Sequence, residues 1–209
     1  MELVGVILAG GLATRLGGLA KGLLPGLAGE SIVLHQAREL LAAGVGEVVL
    51  ICNDPEPYRE THLEILPDIR LGNGPMGGIE AGLVWAAGRA RGAVFLPCDM
   101  PAISRVEINK LIVAWRHSQA GLSWALLCGD HEPCTQNTCT QGIQRHPLCC
   151  VVSAGHSRAV SKSIDEGKLK IRQLWEDLQA TEVRFANAPA FENINTPEDL
   201  QAWRLEQQQ

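Results

Sequence analysis

The sequence lacks a surplus of positive charge, and no long hydrophobic run opens it. Its 209 residues include 18 lysines and arginines against 23 aspartates and glutamates, a formal net charge of −5. Without a broad basic surface, neither a nucleic acid nor an anionic membrane is expected as a partner, and any anion should bind locally. The opening MELVGVILAGG has no cationic segment, and glycine interrupts its apolar run within about ten residues. A signal peptide or a membrane span is therefore not expected.

Cysteine pairs with the C-x-x-C spacing of zinc sites are also absent. The chain has seven cysteines, and without an export signal we expect reduced thiols in the cytoplasm. Five of them fall within residues 128–150, together with two histidines. Because their spacing is irregular, we predict an irregular surface excursion over about 128–150, next to a strand at His146-Pro147, and no stoichiometric zinc. A structural zinc site is the alternative.

Apolar runs and helical periodicity alternate along the chain. Hydrophobic residues make up 46% of the sequence, enough for one domain over residues 1–209. Buried strands are predicted at Leu3–Leu8, Glu47–Cys52 and Ala93–Leu96. Helices are predicted from Ser31 to Gly44, from about Gly77 to Arg89, from a Ser104/Glu107 capping box, and from a Thr196 cap through Trp203. This alternation predicts a three-layer α/β/α Rossmann-like fold with a mostly parallel sheet.

Polar turns follow the predicted strands. Gly10, Asn53, Asp99 and Asn193 are each expected at a strand end, and therefore along one edge of the sheet. Ligands bind at that edge in folds of this class. The edge is therefore the expected position of a binding site.

The loop after the first strand, residues 8–22, reads LAGGLATRLGGLAKG and contains five glycines. Glycines let backbone N–H groups approach a ligand closely and form an anion-binding concavity. Arg15 and Lys21, its only charged residues, could converge on one anion. The loop has neither the Lys-Ser/Thr pair of a Walker loop nor the G-x-G-x-x-G spacing of a dinucleotide fingerprint. It therefore favours a nucleoside triphosphate bound in another way, although a plain tight turn at Gly10-Gly11 is the alternative.

This loop resembles the signature of the nucleotidyltransferases that activate sugars, and most closely that of the molybdenum cofactor guanylyltransferase family. The matching residues are Leu8-Ala9-Gly10-Gly11, Arg15, Leu16-Gly17 and Lys21-Gly22. Further segments match in the family's order: Leu66-Pro67-Asp68, Gly74-Pro75-Met76-Gly77-Gly78, Pro97-Cys98-Asp99-Met100-Pro101, His146-Pro147, and Asn193-Ile194-Asn195-Thr196-Pro197-Glu198-Asp199. The resemblance covers nearly the whole chain.

The resemblance implies a nucleotidyltransferase fold and a specific reaction. The terminal phosphate of molybdenum-bound molybdopterin attacks the α-phosphorus of GTP, releases pyrophosphate and leaves a guanine dinucleotide cofactor. GTP and molybdenum-molybdopterin are the implied partners, Mg²⁺ is the implied cofactor, and molybdoenzyme apoproteins or their chaperones would receive the product.

The resemblance also implies roles for individual residues. Catalysis is implied for Arg15, Lys21 and Asp99. Nucleotide binding is implied for Leu8, Ala9, Gly10, Gly11, Lys21, Asn53, Asp68 and Asp99. Binding of the second substrate is implied for Gly77, Gly78, His146, Asn193 and Asn195. Asp99 is in addition the metal candidate, because a hard carboxylate just beyond a buried strand suits Mg²⁺.

Several of these residues also have purely structural interpretations. Asp99 could only cap its turn, Asn195 could brace the turn before the Thr196-capped helix, and Asn53 could be a simple turn residue. The resemblance is incomplete near Asn53, because relatives often carry an additional asparagine where this chain has Ile51. Cys98 follows a buried strand and is predicted to serve packing rather than to act as a nucleophile.

Three other functions compete with guanylyl transfer. A molybdenum cofactor cytidylyltransferase typically has Leu-Ala-Ala-Gly in the first loop and an aspartate-rich final motif, whereas this chain has Leu-Ala-Gly-Gly and Asn-Ile-Asn. Sugar-phosphate nucleotidyltransferases are commonly longer. A non-catalytic nucleotide- or cofactor-binding adaptor is the alternative from a different class, and the presence of Arg15, Lys21 and Asp99 argues against it.

Overall fold

The apolar runs form one seven-stranded sheet. The structure is a computed structural model, and it describes residues 1–10, 20–26, 29–127, 143–186 and 188–206. Its strands are β1 (Leu3–Leu8), β2 (Val48–Ile51), β3 (Glu64–Leu66), β4 (Gly92–Pro97), β5 (Leu122–Leu127), β6 (Gln144–Ser153) and β7 (Thr181–Phe185). They lie in the order β3-β2-β1-β4-β6-β5-β7.

Every pair in the sheet is parallel except those made by β6, which runs antiparallel to both β4 and β5. The mostly parallel sheet is therefore confirmed. Because only β6 is reversed, the other six strands all end at the same edge. The amino end of β6 comes to that edge as well.

Strand β6 corrects one expectation. The irregular excursion was predicted to reach Cys150, but residues 144–150 lie in β6, and Cys149 and Cys150 are fully buried. The reason is that residues 144–146 and 150 pair with β5, Cys150 also pairs with β4, and the side chains of Cys149 and Cys150 enter the two cores of the protein. The remainder of the predicted excursion, residues 128–142, lies outside the described residues.

Six helices are seen in the described ranges. They are α1 (Ile32–Ala42), α2 (Pro75–Ala86), α3 (Arg105–His117), α4 (Ser157–Asp165), α5 (Ile171–Asp177) and α6 (Pro197–Glu206). The predicted capping box of α3 is confirmed, because Ser104 Oγ accepts from Val106 N and Glu107 Oε2 accepts from Ser104 N, each at 3.2 Å. Helix α2 begins two residues before its predicted start, with Pro75 in the first turn. That position suits proline because its missing N–H would have no helical partner.

Two cores cover the sheet from its opposite faces. Helices α1 and α3 contribute to one core, and α2, α4 and α5 to the other. The three-layer α/β/α architecture is therefore confirmed. None of the helices within the described ranges is long and apolar enough to cross a lipid bilayer.

A small third hydrophobic cluster joins an N-terminal segment of the chain to a C-terminal one. Leu24, Ile32, Ile194 and Trp203 are buried together. They connect the segment that follows the glycine-rich loop to the start of α1, to the segment before α6, and to α6 itself. This cluster brings Lys21 and Asn195 to the same part of the sheet edge.

Candidate active site

Lys21 lies in a short 3₁₀ turn, Lys21–Leu23, at the end of the glycine-rich loop. Its Nζ donates a hydrogen bond to Asn195 Oδ1 at 2.9 Å, across 174 residues of sequence. Glycine suits the next position, because a Cβ at Gly22 would lie 2.4 Å from Val33 Cγ1 and would force the neighbouring side chains to move. The Lys-Gly pair therefore lets the backbone lie close against α1 while the lysine side chain points to the last motif.

Asp99 lies in the turn that follows β4. Gln36, a buried residue of α1, fixes this turn by donating from Nε2 to Pro97 O at 2.9 Å and to Met100 O at 3.0 Å. The Asp99 carbonyl accepts from Ile194 N at 2.9 Å, which connects the turn to the segment carrying Asn195. The Asp99 carboxylate is therefore held on a backbone anchored from two sides.

The Asp99 side chain is poorly satisfied in this position. Its Oδ1 is buried and has no hydrogen-bond partner among the described residues. Burial raises the pKa of Asp99, and the positive charge of Lys21 opposes that rise. A buried carboxylate oxygen without a donor is costly to keep. Such an oxygen is typical of a residue that binds something besides its own protein.

Asn195 has its backbone and its side chain in different roles. Asp199 Oδ2 accepts from the backbone N–H groups of Asn195 and Thr196, each at 2.8 Å, and Asp199 N donates to Thr196 Oγ1 at 3.1 Å. The two backbone donors hold the pKa of Asp199 below its usual value. Asp199 therefore braces the turn into α6, which leaves the Asn195 side chain directed at Lys21.

A second group of predicted residues meets where β2 and β3 end. Asn53 Nδ2 donates to Asp68 Oδ2, and Asp68 N donates to Asn53 Oδ1, both at 2.9 Å. Gly77 lies beside this pair, since a Cβ there would be 3.3 Å from Asp68 Cγ, and a Cβ at Gly78 would be 2.9 Å from Leu8 Cδ2. Gly77 and Gly78, which were expected to contact the second substrate, therefore lie next to the expected nucleotide contact Asp68.

The end of β1 is close to both groups. Ala9 N donates to Ile51 O at 2.9 Å, and Leu8 O accepts from Cys98 N at 3.0 Å. A Cβ at Gly10 would meet no atom of the described residues within 4 Å. The backbone at the end of β1 thus lies between the ends of β2 and β4. Gly11 and Arg15 lie outside the described residues.

Asn193 and Asn195, two of the residues predicted to bind the second substrate, line a cavity of about 510 Å³. Its walls include Leu127, Gln144, Phe191, Asn193, Asn195 and Trp203. Asn193 does not directly follow a strand, which corrects its expected position: β7 ends at Phe185, and the 3₁₀ turn Pro189–Phe191 comes between. Asn193 nevertheless reaches the expected edge, because the neighbouring Ile194 binds the Asp99 turn.

His146 is buried beside this cavity. Its ring centroid lies 5.0 Å from that of Phe191, and its Nε2 has no hydrogen-bond partner among the described residues. Burial lowers the pKa of His146, so its imidazole is neutral at pH 7. A neutral ring offers one donor and one acceptor nitrogen.

Comparisons with known proteins decide the family. Residues 5–181 match the family described as the MobA-like NTP transferase domain. The chain belongs to this family. It is similar to a Yersinia pestis protein named molybdenum cofactor guanylyltransferase, with 29% identity over 205 residues covering 97% of this chain and 95% of the relative.

Solved structures have the same MobA-like transferase fold. One is the molybdopterin-guanine dinucleotide biosynthesis protein A from Archaeoglobus fulgidus, at 21% identity and a TM-score of 0.66, covering 95% of both chains. Another is 4-diphosphocytidyl-2C-methyl-D-erythritol synthase from Anaerococcus prevotii, at 12% identity and a TM-score of 0.75, covering 100% of this chain and 96% of the other. These structures confirm the Rossmann-like nucleotidyltransferase fold, and the family match over residues 5–181 confirms the assignment as a transferase enzyme.

Cysteine has no evident catalytic part in this MobA-like transferase among the described residues. Cys98 is buried, and burial raises its pKa to about 12, so its thiol stays protonated at neutral pH. Within the described ranges, no three His, Cys, Asp or Glu side chains are grouped as metal ligands. The absence of stoichiometric zinc stays a prediction, because residues 128–142 carry three of the cysteines.

Sequence reasoning missed Gln36, Arg70 and Glu80 in this MobA-like chain. Gln36 gives little signal, because a polar residue in an amphipathic helix is usually read as solvent-facing. Glu80 gives more, since it is the only charge in the helical stretch PMGGIEAGLVWA. A lone charge on a helix that is apolar on every side indicates a buried, paired group.

Proposed function

We propose that this protein transfers GMP from GTP to molybdenum-molybdopterin, forming the molybdopterin guanine dinucleotide cofactor and pyrophosphate. The observation that carries the proposal is the meeting of Lys21, Asn195 and Asp99 at one sheet edge, with Asp99 Oδ1 buried and unpaired among the described residues. The name of the Yersinia pestis relative supports the choice of substrates.

In the proposed reaction, a terminal phosphate oxygen of molybdopterin forms a bond to the α-phosphorus of GTP. The bond from that phosphorus to the bridging oxygen breaks, and pyrophosphate leaves with the electron pair. A phosphomonoester has its second pKa near 6, so the nucleophile is largely a dianion at neutral pH and needs no side-chain base. The protein therefore has to reduce repulsion between anions and to stabilise the leaving group.

Lys21 is proposed to contact the phosphates of GTP. Its ammonium group is already held at the sheet edge by Asn195, at 2.9 Å, so little ordering is needed when the nucleotide arrives. A phosphate oxygen can then replace or share the Asn195 contact, because an ammonium group has three donors. Arg15 is proposed to assist from the glycine-rich loop.

Asp99 is proposed to hold Mg²⁺. The fit rests on the donor chemistry, since a hard cation prefers carboxylate oxygens and usually takes one or two of them together with phosphate oxygens and water. A buried oxygen without a donor in the described part of the chain meets this need. When bound, the ion would neutralise charge on the phosphates. Asp99 itself supplies a negative charge fixed by the Gln36 and Ile194 contacts.

The two substrates are proposed to occupy different parts of the edge. Asn53, Asp68 and the backbone from Leu8 to Gly11 would contact the nucleotide. Gly77 and Gly78 allow α2 to approach Asp68. The acceptor would occupy the cavity walled by Asn193 and Asn195, with the neutral His146 beside it. Preference for guanine is motivated by the Leu-Ala-Gly-Gly and Asn-Ile-Asn sequences.

The test is incubation with molybdopterin, molybdate, Mg²⁺ and each nucleoside triphosphate, with the dinucleotide product identified by mass. A guanine dinucleotide and pyrophosphate are the expected products. Faster turnover of CTP than of GTP would instead assign a cytidylyltransferase. Nucleotide binding with no product from any of them would assign a non-catalytic adaptor. The cytoplasmic location and the delivery of product to molybdoenzyme apoproteins or their chaperones stay predictions.

A further inference from the structure

A charged network lies beneath the loop of residues 67–74, which connects β3 to α2 and carries Asp68. Arg70 in this loop donates from Nε to Glu80 Oε2 at 2.9 Å and from Nη2 to Glu80 Oε1. The pair is bidentate, so both the position and the plane of the guanidinium group are fixed. The loop is therefore tied to α2 by a geometry that few other residue pairs provide.

Glu80 is almost completely buried, with a relative exposure of 4%. Besides the two Arg70 nitrogens, Ser161 Oγ donates to Glu80 Oε1 at 2.6 Å. These hydrogen bonds, the Arg70 contribution above all, hold the pKa of Glu80 below its usual value. Burial of a carboxylate is tolerated only when its partners stay in place, so removing Arg70 leaves an uncompensated charge.

Arg70 also reaches α4. Its Nη1 donates to Asp165 Oδ1, and its Nη2 donates to Ser161 O at 3.2 Å. One side chain therefore connects the loop, α2 and α4. The network does not depend on any residue already assigned to the reaction.

The backbone of the loop is fixed at the same point. Asn73 Nδ2 donates to Arg70 O at 3.0 Å, and a Cβ at Gly77 would lie 3.1 Å from that oxygen. Gly74 has a φ of +56°, and it precedes α2. Such a positive φ suits glycine, which has no Cβ. Asp68 is two residues before Arg70, so the position of Asp68 against Asn53 depends on where Arg70 is held.

We propose that Arg70 is a positioning residue for the nucleotide: through Glu80, Ser161 and Asp165 it fixes the loop so that Asp68 and Asn53 present one arrangement to the base and ribose. This inference rests on the proposed function, since it takes Asp68 as a nucleotide contact. It adds that base selectivity depends on a residue that does not touch the nucleotide. The chemical step at Lys21 and Asp99 should be unaffected, because Asp99 follows β4, which β2 and β1 separate from the β3 end that carries Asp68.

The experiment compares Arg70→Ala, Arg70→Lys and Glu80→Gln with the matched control Arg116→Ala. Arg116 makes the same bidentate contact with a glutamate, from Nε and Nη2 to Glu2, away from the sheet edge that carries the site. Three quantities are measured for each protein: the dissociation constants of GTP and CTP, KM and kcat with GTP, and hydrogen exchange of the unliganded chain over residues 67–74.

Arg70→Ala should raise the dissociation constant and KM for GTP about tenfold, with kcat within about twofold of wild type, the expected pattern for lost ground-state binding. The preference for GTP over CTP should fall, and exchange at the Asp68 amide should speed up. Arg70→Lys keeps the charge but not the planar two-bond contact, so it should give intermediate values. Arg116→Ala should match wild type in all three measurements.

Each result decides between distinct hypotheses. If wild type binds no nucleotide, the proposed function fails, whereas the hydrogen-exchange comparison still tests the loop. Suppose instead that wild type binds GTP. The positioning inference is then wrong if every folded network variant has wild-type dissociation constants for GTP and CTP and wild-type hydrogen exchange over residues 67–74. Should Arg70→Ala not fold, Arg70→Lys and Glu80→Gln carry the same comparison. A fall in kcat at unchanged KM would also overturn the inference.

Discussion

At the scale of single residues, the candidate site combines charges that have been taken out of bulk water. Asp99 has a buried oxygen with no donor in the described part of the chain, and the positive charge of Lys21 acts on its carboxylate. Within the described residues, Lys21 in turn is bound to the neutral Asn195 rather than to a carboxylate. Because Lys21 and Asp99 are not fully paired with each other, both side chains can still bind a ligand. The same arrangement lowers the stability of the unliganded protein.

Replacing Lys21 tests the phosphate contact. Lys21→Ala should lower turnover by about 10²- to 10³-fold, or roughly 3 to 4 kcal/mol, the scale for losing one positioned transition-state contact. Thermal stability should hardly change, because the partly buried side chain belongs to none of the hydrophobic clusters of the described residues. The measurement is kcat/KM at saturating acceptor, with the exposed Lys162→Ala on α4 as the control. Near wild-type turnover of Lys21→Ala would mean that the lysine only braces Asn195.

Replacing Asp99 by asparagine separates charge from shape. Burial raises the pKa of Asp99 in the folded protein above its value in the unfolded chain. The contribution of Asp99 to folding stability is therefore greatest at a pH below the unfolded-state pKa, and it falls as the pH rises from the unfolded-state pKa to the folded-state pKa. An asparagine side chain at this position would not ionise. In chelator at pH 7, Asp99→Asn should therefore raise Tm above the wild-type value.

The increase in Tm caused by Asp99→Asn should become smaller as the pH is lowered to about 4, which is close to the reference pKa of aspartate. Activity should fall by at least as much as in Lys21→Ala, and GTP binding should lose its dependence on Mg²⁺. Melting curves across this pH range, with and without Mg²⁺, measure both effects. Equal stability at every pH together with full activity would show that Asp99 is only a turn cap.

At the scale of elements, α1 acts as a clamp on the segment that carries Asp99. Three of its residues, His35, Gln36 and Glu39, are buried polar groups on the side facing the β4–α3 connection. His35 Nε2 bonds Ile103 O at 3.0 Å, and Glu39 Oε2 accepts from Arg105 N at 2.8 Å. Together with the two bonds from Gln36, these contacts pair four backbone groups between the end of β4 and the start of α3. The helix therefore fixes the turn by hydrogen bonds as well as by packing.

The substitution Gln36→Met tests this clamp, since methionine is close to glutamine in size and shape but donates no hydrogen bond. It leaves Pro97 O and Met100 O without their donor, so we expect a loss of about 2–4 kcal/mol of unfolding free energy. Denaturant titration measures the loss. Gln173→Met, at an exposed position of α5, should cost well under ~1 kcal/mol. Comparable small losses at both positions would contradict the clamp.

At the scale of the whole molecule, the sheet order divides the functional edge. The β3-β2-β1 side brings together Asn53, Asp68 and the start of the glycine-rich loop, and the β4-β6-β5-β7 side borders the cavity with Asn193. Lys21 and Asp99 lie where the two sides meet. Two substrates bound on the two sides would place their phosphates at the same point, which is what transfer between them requires.

Nucleotide binding should stabilise the folded chain by an amount that grows with the logarithm of the nucleotide's affinity. GTP at about 100 times its dissociation constant should add about 2.7 kcal/mol to the free energy of unfolding, provided that it binds only the folded state. CTP at the same concentration should add less, if guanine is preferred. Thermal melts with Mg²⁺ and each of the four nucleotides measure which nucleotide raises Tm most. A larger shift with CTP would reverse the predicted base preference without affecting the fold.

Much of the fold could be predicted because its signals are local. The runs Leu3–Leu8 and Ala93–Leu96 are uniformly apolar, and Ser104 with Glu107 forms a cap within four residues. Strand β3, with only three residues, and the short helix α5 gave no comparable signal. Their existence depends on pairing with β2 and on packing of Ile171 and Trp175 in the core.

The alternation of strands and helices, the glycine-rich loop, and the residues that resemble those of a nucleotidyltransferase family can all be recognised in the sequence, because each of them is encoded within a short segment. Four features emerge only when the chain is folded: the antiparallel direction of β6, the pairing of Lys21 with Asn195, the contact of Gln36 with the Asp99 turn, and the attachment of the Asp68 loop by Arg70 and Glu80. These contacts join residues distant in sequence. They form because buried backbone and charged groups must find hydrogen-bond partners, and the choice of partner depends on how the whole chain packs.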